Sequence, residues 1–223
     1  MLGVLANRTY RNLFLAQVIS LVGTGLGTVA LALLAFNIAG DKAGAVLGTA
    51  LFIKMAAYVG LSPIAGALAG LLPRRAFLVS LDAVRTGIAL MLPFVTQTWQ
   101  IYLLIFFLQA ASAAFTPTFQ ATIPDVLPDE GEYTKALSLS RLAYDLENLL
   151  SPAIAGALLT VMTFHDLFVG TALGFVASAL FVLSVSLPSP KTAQLRSFRD
   201  RDGCFSLRSA LASIWRIRSR VTE

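Results

Sequence analysis

Long apolar stretches separated by short polar links recur six times before residue 188. They run over approximately 13–39, 45–72, 76–96, 101–123, 137–163 and 167–187. Each holds about 20 or more mostly apolar residues, enough at 1.5 Å per residue to cross ~30 Å of hydrocarbon as a helix. The links GDKAG, PRR, PDVLPDEGEYTKA and FHD are short and polar. The pattern predicts an all-α polytopic membrane protein with six transmembrane helices. After Pro188 it changes. PSPKTAQLRSFRDRDG reads as a solvated linker, and Phe205 to Val221 as a basic amphipathic helix. Leu207, Ala210, Leu211 and Ile214 form that helix's apolar stripe, which Arg218 interrupts, and it would lie on an anionic leaflet. The expected organisation is a cytoplasmic N-terminus (1–12), a six-helix membrane domain (13–187) and a cytoplasmic linker with its basic helix (188–223).

Composition supports the membrane class. Hydrophobic residues make up 57% of the chain and charged residues 13%, against about 25% charged in an average soluble domain. Mean hydropathy is +0.76. The net charge of +5 would suggest nucleic acid in a soluble protein. The basic residues cluster between or after apolar spans instead, so the positive-inside rule explains them and no nucleic-acid partner is expected. With the N-terminus inside, the inner segments hold Arg8, Arg11, Arg74, Arg75, Lys135, Arg141 and every basic residue from Lys191 to Arg220; the outer links hold only Lys42. Both termini are therefore expected in the cytoplasm. The single cysteine, Cys204, excludes an internal disulfide. No nucleophile elbow, phosphate-binding glycine loop or metal-spaced His/Cys cluster is present, so neither an enzyme nor a cofactor nor a metal is expected.

Two stretches echo one another. LSPIAGAL begins at Leu61 and LSPAIAGAL at Leu150, alike once Ala153 is taken as an insertion. One lies in a span running outward to inward, the other in a span running inward to outward. An inverted three-plus-three repeat gives that relation, with span two equivalent to span five. Pro63 and Pro152 each remove an intrahelical hydrogen bond and permit a bend, and Gly66 and Gly156 leave room for a neighbour. In span one, Ser20, Gly23, Gly27 and Ala30 share a face that admits close approach of another helix.

The chain resembles the N-terminal half of a major facilitator superfamily transporter over essentially its whole length, closest to an efflux branch of enterobactin-exporter-like proteins. The family's link between helices two and three reads G-x-x-x-D-R-x-G-R-R. Gly66, Arg74 and Arg75 match in register, while Gly70, Leu71 and Pro73 replace its Asp, Arg and Gly. Ser151, Pro152, Ala155 and Gly156 follow the small-residue pattern of the family's G-P-x-x-G-G in helix five. The segment from Phe115 to Pro128 and KALSLSR also look like this branch, whereas the helix-four arginine of many drug exporters would fall near Phe106 and is absent. The resemblance implies alternating access, export of small molecules by a secondary active, proton-coupled permease of the bacterial inner membrane, and a cavity lined by helices one and four. Gln17, Asn37 and Gln109 would then face it. Because that family has twelve helices, the chain is expected to be one half or a truncated form, working with a second six-helix half or as a homodimer. A non-transporting fragment or scaffold subunit is the alternative.

Ionisable groups inside the spans are costly and point to function. Lys54 lies near the midplane of span two, with Asp145 or Glu147 of span five as its expected partner. Arg141, Asp145 and Asn148 share one face of that span, with Glu147 pointing elsewhere. A carboxylate trading a proton for a lysine partner would serve antiport. Asp82 and Arg85, three residues apart in span three, are expected to form an architectural ion pair near the cytoplasmic end. The gating or structural motif comprises Ser62, Pro63, Gly66, Arg74 and Arg75, echoed by Ser151, Pro152 and Gly156.

Overall fold

The structure, a computed structural model, describes residues 2–69, 72–185 and 187. The linker and basic helix expected over 188–223 lie outside the described residues, as do Gly70, Leu71 and the side-chain surroundings of Pro63 and Gly66. Six long helices fill the rest: α1 (Arg8–Ala39), α2 (Ala43–Ala69), α3 (Arg74–Met91), α4 (Thr98–Val126), α5 (Glu130–Leu158) and α6 (Phe164–Leu183). Four stretches are long and apolar enough to cross a membrane: Arg8–Ser62, which holds α1 and most of α2, then Arg74–Phe94, Thr98–Val126 and Phe164–Leu183. Helix α5 is not among them, because Glu130, Glu132, Lys135, Arg141, Asp145 and Glu147 interrupt it.

The helix ends follow local chemistry. Asn7 caps α1, its side chain accepting from the amides of Thr9 and Tyr10. Helix α5 begins at Glu130, well before the expected start near Leu137. Asp129 accepts from the Glu132 amide, and Glu130 and Glu132 place negative charge in the first turn, where the helix dipole favours it. Helix α3 stops at Met91, and Pro93 sits in the short 3-10 turn Leu92–Phe94 that follows. Helix α4 continues through Pro117 and Pro124 to Val126.

The neighbour relations carry the internal repeat. Helix α1 packs on α5 and α6, and α4 packs correspondingly on α2 and α3. Exchanging α1 with α4, α2 with α5 and α3 with α6 maps these pairs onto one another and leaves α3–α6 and α1–α4 unchanged. That is the relation of a three-plus-three repeat.

The α1–α6 contact is made backbone to backbone. A Cβ placed on Gly174 would lie 3.0 Å from the Gly23 Cα and 3.2 Å from the Ile19 carbonyl. One placed on Gly23 would lie 3.1 Å from the Thr171 carbonyl oxygen, and one on Gly27 3.1 Å from the Thr171 side chain. The small face of α1 is thus the seam for α6.

Two apolar clusters close the ends of the bundle. One gathers Tyr10, Leu13, Leu78, Phe119, Ile123 and Val182 near the end that bears Arg74 and Arg75, called the arginine end below. The other gathers Leu26, Leu34, Ile101, Leu167 and Phe168 toward the far end. At the arginine end, Arg74 donates to the Asp125 carboxylate and to the Ala121 carbonyl, tying α3 to α4. Arg75 donates to the Leu183 carbonyl at the C-terminus of α6, a favourable place for a cation. The Tyr10 hydroxyl donates to the Ala136 carbonyl at 3.1 Å and joins α1 to α5.

Candidate functional site

A cavity of about 910 Å³ lies among α1, α2, α4 and α5, with Arg85 as its one contribution from α3. Helix α6 contributes none of its lining. The volume is that of a pocket for a drug-sized molecule. Its walls are mixed: Gln17, Ser20, Thr24 and Gly25 from α1; Lys54, Met55 and Tyr58 from α2; Phe115, Thr116 and Gln120 from α4; and Arg141, Tyr144, Asp145, Glu147, Asn148 and Ser151 from α5, among others.

Of the residues singled out in the sequence, Gln17, Lys54, Asp145, Glu147, Ser151, Pro152 and Arg85 converge on this cavity. Gln109 does not; it lines a separate space of about 30 Å³ with Gly27, Leu31, Thr171 and Phe175. Gln17 is buried, and its Oε1 accepts from the Ser140 hydroxyl at 3.0 Å, so it also links α1 to α5.

Two expectations are corrected by the geometry. Lys54 makes no direct ion pair among the described residues, although it acts electrostatically on Glu147, one of its two expected partners; the other, Asp145, is engaged instead by Arg141 one turn before it, at 3.8 Å, the natural i,i+4 partner. Glu147 lines the cavity, as its candidacy for a coupling role requires, and its Oε1 would lie 3.0 Å from a Cβ placed on Gly25. The missing side chain at Gly25 makes that space. The Asp82–Arg85 pair sits mid-helix rather than near the cytoplasmic end, eight and eleven residues after Arg74.

The Asp82–Arg85 pair is a buried node. The two side chains are 0% and 3% exposed and form an ion pair across one turn. Arg85 Nη1 donates to the Ser20 hydroxyl at 3.1 Å, and the Ser178 hydroxyl donates to Asp82 Oδ2 at 2.8 Å. The guanidinium lies 4.2 Å from the Phe115 ring centroid and 4.6 Å from that of Phe175, a cation–π sandwich. Four helices, α1, α3, α4 and α6, therefore converge on one charge pair.

Several cavity groups escape a reading of spacing alone. Tyr144 and Thr116 join hydroxyls across α5 and α4 at 3.2 Å. Tyr58 lies one turn beyond Lys54 on the same wall. Ser151 is buried against α1, where a Cβ on Gly25 would collide with its Oγ, and that hydroxyl has no partner among the described residues. The spacings of four and three residues from Lys54 to Tyr58 and from Tyr144 to Glu147 are the available signal, and they mean little until a cavity is known. The Arg74 partner, Asp125, has no local signal at all.

A helical membrane bundle of two inverted three-helix repeats with a cavity of mixed polar and apolar lining between them has the architecture of a transporter half. The chain belongs to the Major Facilitator Superfamily, whose family model matches residues 13–221. It is 25% identical over 149 residues to an uncharacterized MFS-type transporter, YfiS, of Bacillus subtilis, covering 63% of this chain and 36% of that protein. It is 24% identical over 152 residues to macrolide efflux protein A of Streptococcus pyogenes, covering 63% and 37%. Its fold is similar to that of a solved POT family transporter in complex with a thioalcohol conjugated peptide, with a TM-score of 0.64 and 16% identity over 96% of this chain and 47% of that one. The chain thus spans little more than a third of the two curated relatives' length. It is a multi-pass membrane protein of a family of transporters rather than enzymes, and small molecules are that family's substrates.

Proposed function

We propose that the chain supplies one half of a secondary active efflux permease for small molecules, coupled to the proton gradient. The observation that carries this reading is the cavity. In a bundle made for the bilayer, a space of about 910 Å³ lined by Lys54, Arg85, Arg141, Asp145 and Glu147 is expensive unless it meets a polar solute. Glu147 is the proposed proton carrier: it lies on the cavity wall and forms no ion pair among the described residues. Relatives named for macrolide efflux support the direction of transport. Gln109, Ser62 and Gly66 remain supporting positions, and Arg74 and Arg75 the gating pair.

The basic residues around the arginine end support a cytoplasmic location for it, for segments 1–12 and 188–223, and for insertion in a bacterial inner membrane. A second six-helix half, or a second copy of this chain, would close the cavity over α2 and α5. Those helices expose Leu51, Phe52, Val59, Leu142 and Leu149.

Reconstitution tests the proposal. Proteoliposomes holding the whole transporter and given an acid-outside or acid-inside gradient should show proton flux that rises when a transported compound is added from a chemically diverse panel. Absence of substrate-dependent proton flux with every compound would return the chain to a non-transporting role.

A further inference from the structure

The charges of the cavity are not all joined in direct ion pairs. Arg85 is matched by Asp82 and Arg141 by Asp145. Lys54 and Glu147 are left, one on α2 and one on α5, both half-buried and neither in an ion pair among the described residues. Their depths agree. Helix α2 runs away from the far end and α5 toward it. Lys54 lies eleven residues after Ala43, and Glu147 eleven residues before Leu158. At 1.5 Å per residue both sit about 16 Å from the far end of their helices. One turn further toward the arginine end, Tyr58 and Tyr144 face the same cavity, also from α2 and α5 and also at matching depth. A positive and a negative group thus stand on facing walls above a pair of phenol rings.

We propose that this arrangement is a two-point dock for a zwitterion bearing an aromatic ring, with its carboxylate on Lys54, its ammonium on Glu147 and its ring between Tyr58 and Tyr144. The inference rests on the transporter reading and names the substrate class of the same cavity. Each half-buried charge of the wall, which otherwise has only the opposite charge across the cavity, gains a direct partner on the ligand. A molecule carrying only one of the two charges leaves the other wall uncompensated, and that difference is the source of selectivity. Protonation of Glu147 removes the partner of the ammonium, so a proton and the substrate exclude one another at a single carboxylate. That is the exchange an antiporter needs.

The test uses three probes of one skeleton: L-phenylalanine, its methyl ester and N-acetyl-L-phenylalanine. Binding is measured by calorimetry on the whole purified transporter, and accumulation in proteoliposomes. The zwitterion should bind at least about tenfold more tightly than either singly charged analogue, each tenfold being 1.4 kcal/mol. Lys54→Gln should erase the advantage over the ester while keeping that over the N-acetyl compound. Glu147→Gln should do the reverse. Equal binding of all three probes, no binding of any, or an advantage of the zwitterion over the ester that survives in Lys54→Gln overturns the dock. Accumulation without any charge preference overturns the dock and leaves the transporter reading standing. The expected binding pattern without accumulation does the opposite.

Discussion

The α1–α6 seam and the α2–α5 walls belong to the same bundle and are made in opposite ways. At the seam, Gly23, Gly27, Gly174 and Thr171 bring two backbones together, and next to it the Asp82–Arg85 node satisfies its charges within the protein. On the walls, Lys54 and Glu147 face a cavity without direct ion-pair partners among the described residues, and elsewhere on α5 the exposed Gly156 has nothing within 4 Å of where a Cβ would stand. The same small residues serve both regions. Contact distance, not residue type, separates a rigid joint from a surface left free for solute. Satisfied polar groups hold helices together, and unsatisfied ones on a cavity wall wait for something else.

The contrast is broken most sharply at the glycines. Gly174→Leu drives a side chain into the Gly23 backbone and should cost about 3 kcal/mol or more, the upper end of overpacking, read as loss of monodisperse protein on extraction. Gly156→Leu, at an exposed position of α5 with open space around it, should leave the elution profile and unfolding midpoint unchanged. Arg85→Ala strands the Asp82 carboxylate and should cost roughly 3–5 kcal/mol in denaturant unfolding, whereas replacing Asp82 and Arg85 together by Leu should recover most of that loss. Gly25→Ala tests the place where the two regions meet. It collides with Ser151, both Oγ and Cβ, and should cost about 1–3 kcal/mol. Ser151→Gly in the same chain should restore stability, while Ser151→Ala should not, because the Cβ contact remains. The smallest effect belongs to the wall: Arg141 and Asp145 are 82% and 64% exposed, so Arg141→Gln should shift stability by under about 0.5 kcal/mol.

Much of the fold is legible in the chain because a membrane span needs a long apolar run, and such runs are hard to mistake. The repeat is legible through LSPIAGAL and its echo. The beginning of α5 is not: Glu130 and Glu132 look like a loop until Asp129 is seen capping them. Half of the site is also legible. An intramembrane lysine and carboxylate announce themselves by cost, and Lys54, Asp145 and Glu147 all reach the cavity. Their partners do not follow from proximity in sequence. Arg141 claims Asp145 because it is one turn away, and Glu147 turns toward α1 because Gly25 leaves room. Asp125 is 51 residues from Arg74, and only packing brings them together. Tyr58 and Tyr144 gain meaning from the depth they share, which depends on the helices running antiparallel.

The most direct test of the account is proton flux through the whole transporter in proteoliposomes with Glu147→Gln. Substitution on the open wall should leave insertion and elution unchanged while abolishing substrate-dependent proton movement. Flux equal to that of the unsubstituted protein would contradict the assignment of coupling to this wall.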